Sequence, residues 1–394
     1  MKKLNIMFLG SHMTNSSGGT KFIFNLVNEL SKHHNVVVYL QKPPTVFNNE
    51  FKSSGIKVIS MSDCSTGDMK FWLTFSSQIN KQKSFLKKEA DMFDVVVSII
   101  FPMNILGNSI NLPHLQHCFQ PFGYFWDTIL IKKLPVTQRF FLFVMKKLYG
   151  KLDIEYTKKS DIVSTPTKEV SDYVKEFYGK ESIPVSAGVD SIFKPTIDHE
   201  LVQKYKNCKI IIHSTDWTFT KNTNWLINQF QEISKQIKNI KLLITEVKST
   251  GSERDLALQK IKKYNLDIEL CGLVPEKLLP SYYSIADVGV YSGVAFKNSA
   301  ASLWVLECMA CGTPVVRTNN TNSEVTHGES GFLFDIKKPL DFQNYVIKLL
   351  NDDKLRDKFG QNATEFISNH RSWTQIANLF EENCRHAIQL HKSF

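Results

Sequence analysis

The stretch Ala286 to Phe334, ADVGVYSGVAFKNSAASLWVLECMACGTPVVRTNNTNSEVTHGESGFLF, decides the reading of this chain. Asp287 to Val290 is a short apolar run that predicts a β-strand, and Ser292 and Gly293 open the loop that follows. A helix begins near Ser302. It carries one acid, Glu307, among Leu303, Val305, Leu306, Met309 and Ala310, and an acid in so apolar a turn needs a partner. Gly312 and Pro314 stop the helix and Val315 and Val316 start a second parallel strand, so the stretch reads as a βαβ unit. In such a unit a ligand sits at the carboxyl ends of the strands, where the helix N-terminus offers N–H groups and a positive dipole end. The expected ligand is anionic.

Working outward, 394 residues are too many for one ordinary core, and the size predicts two domains. The formal charge of +10 admits anionic lipid, phosphorylated ligands or nucleic acid as partners; no nucleic-acid partner is expected. Residues 1–194 hold 24 basic against 16 acidic side chains, so eight of the ten net charges fall in the first half. The seven cysteines are scattered, mostly in apolar runs, as reduced thiols usually are. Cys308 and Cys311 form a lone C-x2-C without the second ligand pair a structural zinc would want, and no D-x-D occurs, so neither metal nor cofactor is expected. The apolar run in MKKLNIMFLGS is too short for a signal peptide and predicts a first strand. The uncharged stretch Val95 to Trp126 is too polar to cross a bilayer. A cytoplasmic protein is expected, at most bound to a membrane face.

Strands alternate with helices along the whole chain: Leu4 to Leu9, a helix from Thr20 to Lys32, then strands at Val36 to Leu40, Val58 to Ser60, Val95 to Ile100 and His114 to Phe119. This is the pattern of a doubly wound parallel sheet. Gly18 and Gly19 sit at the mouth of the first helix, where backbone approaches a ligand closely. His117 lies where a strand runs out into a loop. The segment Gly123 to Tyr156 mixes aromatics with lysines, among them Lys132, Lys133, Lys146 and Lys147. It predicts either a face for an anionic membrane or a core with a solvated rim. The pattern restarts with strand Lys209 to His213 and ends on a helix from Trp373 to His391.

LECMACGTPVV followed by GESGFLF resembles the donor-site signature of the GT-B glycosyltransferases, most closely glycosyltransferase family 4. SIPVSAGVDSIFKPT resembles that family's domain boundary. The resemblance implies an α/β fold of two facing Rossmann-like domains, residues 1–190 on the acceptor side and 191–370 binding the nucleotide-sugar, with residues 371–394 as a helix crossing back. It implies transfer of a sugar from a nucleotide-sugar to a glycan, a lipid-linked or another hydroxyl acceptor, with retention of configuration and without metal. Glu307 takes the place of the acid that holds the donor ribose, and Lys221 that of a lysine on the diphosphate. Leu303 and the Gly18–Gly19 turn lie against the phosphates, Cys271, Gly272 and Leu273 against the nucleobase, and His117 at the reaction centre. Two departures stand out: Ser299 replaces the acid that grips the sugar, and Asp216 replaces the arginine that accompanies the lysine. Lys297 is the nearest substitute base. A sugar-nucleotide epimerase and a non-catalytic sugar- or nucleotide-binding protein are the alternatives.

Overall fold

A computed structural model of the chain describes residues 2–14, 17–294, 302–319 and 324–392, and these form two compact units. The first holds Met1–Gly188 and Trp373–Phe394. Its sheet contains β1 (Asn5–Gly10), β2 (Asn35–Leu40), β3 (Lys57–Ser60), β4 (Val95–Ile99), β5 (His114–His117), β6 (Ile162–Thr165) and β7 (Ile183–Pro184), ordered β3-β2-β1-β4-β5-β6-β7 and parallel throughout. Strands such as VVVSI and NVVVYL are apolar on both faces, and parallel sheets are buried on both faces.

The pleat sends alternate residues to two separate cores. Ile6, Phe8, Val36, Val38, Val95 and Val97 face one, with Leu26 of the Gly18–Ser31 helix and Ile376, Phe380, Cys384 and Ala387 of the Trp373–His391 helix. Met7, Leu9, Tyr39 and Val96 face the other, beneath Phe71, Phe101 and Phe125. The last helix is pinned at its sides by polar bonds as well. His34 takes the Leu4 N–H at Nδ1 and meets Glu381 at 3.1 Å through Nε2, while the Thr374 hydroxyl donates to Glu29 at 2.6 Å.

The second unit contains residues 189–297 and 301–372. Its sheet contains β8 (Lys209–Thr215), β9 (Ile240–Glu246), β10 (Ile268–Gly272), β11 (Val288–Tyr291), β12 (Val315–Thr318) and β13 (Gly331–Phe334), ordered β10-β9-β8-β11-β12-β13, again parallel. Each unit's strand order reverses beside its first strand, so each has a switch point where carboxyl-end loops diverge and a ligand finds a crevice. Close packing in the signature depends on glycine at Gly331, where a Cβ would lie 2.1 Å from the Val315 carbonyl oxygen. The predicted helix after β11 is Leu303–Ala310, and its Cys308 and Cys311 are both buried. Burial pushes both thiols upward, Cys311 to about 12, as expected of packing residues.

Candidate functional site

In the second unit the carboxyl ends of β8, β11 and β12 converge. The loop leaving β8 begins with Asp216 and Trp217. Trp217 adopts a left-handed backbone (φ 57°), and its indole donates to Glu246 at 2.6 Å, where Arg254 also donates at 2.6 Å, so the loop is braced against the end of β9. Asp216 turns into its own loop, accepting the Thr218 N–H at 2.9 Å and the Thr218 hydroxyl at 2.6 Å. This is the local bonding that aspartate prefers in turns. Lys221 follows. Its carbonyl accepts from the Ser292 hydroxyl at 3.2 Å, and Thr220 accepts the Val294 N–H at 2.9 Å, which ties this loop to the one leaving β11.

Tyr291 ends β11. The Lys221 ammonium lies 5.8 Å from its ring centroid, and the Arg317 guanidinium, near the end of β12, lies 5.4 Å from the same centroid. Thr318 donates to the Gly293 carbonyl at 2.9 Å. Gly293 has to be glycine, because a Cβ there would fall 2.3 Å from the tyrosine ring. Arg317 is fully buried and paired with Glu324 at 3.5 Å. Beneath the loops, His213 donates its Nδ1–H to the Val290 carbonyl at 2.9 Å and accepts the Thr223 hydroxyl at Nε2 at 3.1 Å. Burial pushes it down to about 4, so it is neutral.

Glu307 is buried on the Leu303–Ala310 helix, half-buried Leu303 starts that helix, and the Tyr283 phenol is raised chiefly by burial and further by the Glu307 charge. Cys271 and Gly272 end β10, and Gly272 (φ 70°) turns the chain so that Leu273 is 64% exposed. Burial pushes the Cys271 thiol up to about 12. Ser299 and Lys297 lie outside the described residues.

In the first unit, Gly18 and Gly19 begin the Gly18–Ser31 helix, with Ser17 capping the Thr20 N–H at 3.4 Å. A Cβ on Gly19 would lie 3.9 Å from Phe119, an ordinary contact, so close backbone approach within this unit does not account for that glycine. His117 is near this turn through Phe22, whose ring stacks on the imidazole at 4.8 Å. The histidine is fully buried, with Nδ1 bonded to the Ser164 hydroxyl at 2.9 Å and Phe119 and Phe380 against its ring. Its Nε2 has no hydrogen-bond partner among the described residues. Desolvation pushes it down to about 3, so it is a neutral imidazole. The structure therefore joins His117 to the first-helix turn within one unit, and Lys221 to Tyr291 and Arg317 within the other. Ser164, Tyr291 and Arg317 were not found from sequence; an arginine closing the apolar run VVRT was the available signal.

Among the described residues no three His, Cys, Asp or Glu side chains gather where they could hold a metal, and no helix is long and apolar enough to cross a membrane.

Residues 196–366 match the family described as glycosyl transferases group 1. The chain is 22% identical to an uncharacterised glycosyltransferase of Methanocaldococcus jannaschii over 97% of its length and 98% of the relative's. A D-inositol 3-phosphate glycosyltransferase of Corynebacterium efficiens is 35% identical over 114 residues, 27% of this chain and 26% of that one. Among solved structures, sucrose-phosphate synthase from Thermosynechococcus elongatus superposes with a TM-score of 0.77 at 16% identity, covering all of both chains. Anabaena HepE in complex with UDP and glucose gives 0.76 at 14% identity, covering 96% of this chain and 99% of the other. The parallel two-sheet architecture and the full-length likeness give this chain the GT-B glycosyltransferase fold, and its second unit matches the glycosyl transferases group 1 family.

Proposed function

We propose that the chain moves a sugar from a nucleotide-sugar donor to the hydroxyl of a glycan or lipid-linked acceptor, with retention and without a metal. The observation that supports this best is the carboxyl edge of β8 and β11, where Lys221 is fixed beside Tyr291 and buried Glu307 lies on the helix that follows. In this reading Glu307 accepts the ribose hydroxyls, Cys271 to Leu273 border the base, and Lys221 with the helix start at Leu303 holds the diphosphate. The bond from the anomeric carbon to the phosphate oxygen breaks with its electron pair leaving on phosphate. The acceptor oxygen then bonds the same carbon, and its proton passes to the departing phosphate. Stabilisation of the leaving charge by preplaced cations and N–H groups is the main term. His117 and the Gly18–Gly19 turn are the residues of the first unit that this reading assigns to the transfer.

The test is turnover of nucleotide-sugars in the presence of a chelator, followed by NMR. His117→Ala is expected to reduce turnover at saturating donor at least about tenfold, or roughly 1.4 kcal/mol of barrier, with nucleotide affinity unchanged. A variant with full turnover removes His117 from the reaction centre. Release of an interconverted sugar nucleotide without transfer would indicate an epimerase instead.

We further propose that the acceptor is met at an anionic membrane face. The Val136–Lys159 helix exposes Val136, Phe140 and Phe143, spaced on one side, at 75, 69 and 56%. Lys132, Lys133, Arg139 and Lys147 are exposed around them. Phe125 is instead core, and Lys146 sits 4.3 Å over the Trp126 ring, so only part of the aromatic and basic segment is available. Each cation near an anionic surface contributes about 1 kcal/mol. Lys132→Glu, Lys133→Glu and Phe140→Ser together should abolish co-sedimentation with phosphatidylglycerol-containing vesicles. If the wild type ignores such vesicles at low salt, where the attraction is strongest, the face is only solvated surface.

A further inference from the structure

Resting on the donor-site reading above, we infer that His213 and Thr223 are positioning residues: through one directed chain of hydrogen bonds they hold the loop that carries Lys221 to the donor diphosphate. The loop leaves β8 after Thr215, makes one 3-10 turn over Phe219–Lys221 and enters the Thr223–Ser234 helix through Asn222, whose backbone is left-handed (φ 54°). A lysine is a point charge on a flexible four-carbon stem, so its backbone has to be fixed if the charge is to be preplaced. The middle of the loop is held by its neighbour after β11. There the Ser292 hydroxyl reaches the Lys221 and Asn222 carbonyls at 3.2 Å each, and the Val294 N–H reaches the Thr220 carbonyl at 2.9 Å.

Both ends of the loop enter the same chain of bonds. A carbonyl oxygen can only accept, so the neutral His213 carries its proton on Nδ1, which donates to Val290 at 2.9 Å, and its Nε2 is an acceptor. The Thr223 hydroxyl therefore donates to Nε2 at 3.1 Å. With that proton spent, the Thr223 oxygen takes the Thr215 hydroxyl at 2.8 Å, and the Thr215 oxygen in turn takes the Trp217 N–H at 3.0 Å. Each proton thus has one direction, set by the histidine. One end of the Lys221 loop hangs on this chain at Trp217 and the other at Thr223. His213, Thr215, Trp217 and Thr223 are all buried, and the Trp304 ring lies edge-on to the imidazole at 5.7 Å. Removing the Thr223 hydroxyl cuts the chain at its centre: it leaves Nε2 of His213 without its donor and the Thr215 hydroxyl without its acceptor, both in the interior.

The experiment is calorimetric titration of the full chain with UDP, GDP and ADP and with the matching monophosphates, since only the diphosphates carry the distal phosphate. Lys221→Ala sets the reference and should lower the ratio of diphosphate to monophosphate affinity. Thr223→Val, which keeps the branched shape and removes the hydroxyl, should weaken the preferred diphosphate at least about fivefold and the monophosphate less than about twofold. Thr223→Ser, which keeps the hydroxyl, should hold the ratio within about twofold of wild type. A packing role would act whether or not Lys221 is present, whereas a positioning role acts through it. In the Lys221→Ala background, Thr223→Val should therefore change the ratio less than about twofold. A folded Thr223→Val with the wild-type ratio, a loss that is the same with and without Lys221, or an equal loss in Thr223→Ser overturns the positioning role and leaves the donor site standing. If Thr223→Val does not fold, Thr215→Val cuts the same chain one bond away and is judged by its ratio with and without Lys221. A wild type that binds none of the three diphosphates, or a Lys221→Ala variant with the wild-type ratio, removes Lys221 from the diphosphate and the positioning role with it.

Discussion

Acidification from pH 7 to pH 5 is expected to remove roughly 3 kcal/mol of stability from the first unit and roughly 2 kcal/mol from the second, a large share of what holds an ordinary domain together. The cause is three fully buried histidines. His114 and His117 are pushed down to about 3 and His213 to about 4, all chiefly by desolvation, with the Lys180 charge adding to the effect on His114. An unfolded histidine takes its proton near pH 6.5, whereas these stay neutral in the fold. Between those values the unfolded chain binds more protons, so stability falls with pH from about 6.5 downward, by about 2 kcal/mol per histidine at pH 5. Asp153 opposes this in the first unit. Burial raises it to about 6 despite bonds from Trp126 at 2.7 Å and Tyr178 at 2.8 Å, so it binds a proton in the fold before it does so unfolded and returns about 1 kcal/mol. Urea midpoints followed by tryptophan fluorescence at pH 7, 6 and 5 decide the matter. Equal midpoints across that range would mean that the three rings meet water or a counter-charge.

What could be read from the residues in advance follows a physical division. Strands such as β2 and β3 and the Trp373–His391 helix were legible because they are set by local apolar periodicity, and the structure gives them the expected bounds to within a residue. The parallel architecture was legible for the same reason, since strands apolar on both faces have to be covered on both. Pairings across sequence were not. Asp153 meets its partners 25 and 27 residues away, and His117 meets Ser164 47 residues away, distances over which no periodicity carries information. Residue type also failed to show orientation. Asp216 looks from sequence like an anion placed against the diphosphate, yet its carboxylate is spent on Thr218. The same limit hid Arg317, whose relation to Lys221 exists only through Tyr291 and the register of β11 with β12, which pairs Tyr291 with Arg317.

Glu307 carries the central claim that the second unit grips a nucleotide donor. It lies in a helix turn otherwise composed of Leu303, Trp304, Val305, Leu306 and Cys308, and it is buried there. Ribose hydroxyls are donors, and a carboxylate is an acceptor with room for more than one of them. A hydrogen bond to a charged acceptor contributes roughly 1.5 to 3 kcal/mol, which corresponds to a weakening of about ten- to more than a hundredfold when the acceptor is removed. The most direct measurement is therefore calorimetric titration of wild type and Glu307→Ala with the preferred nucleoside diphosphate, with thermal unfolding to confirm that both are folded. The expected result is a dissociation constant at least about tenfold higher for Glu307→Ala. A folded variant whose dissociation constant equals that of the wild type would contradict the placement of the donor in this unit at Glu307.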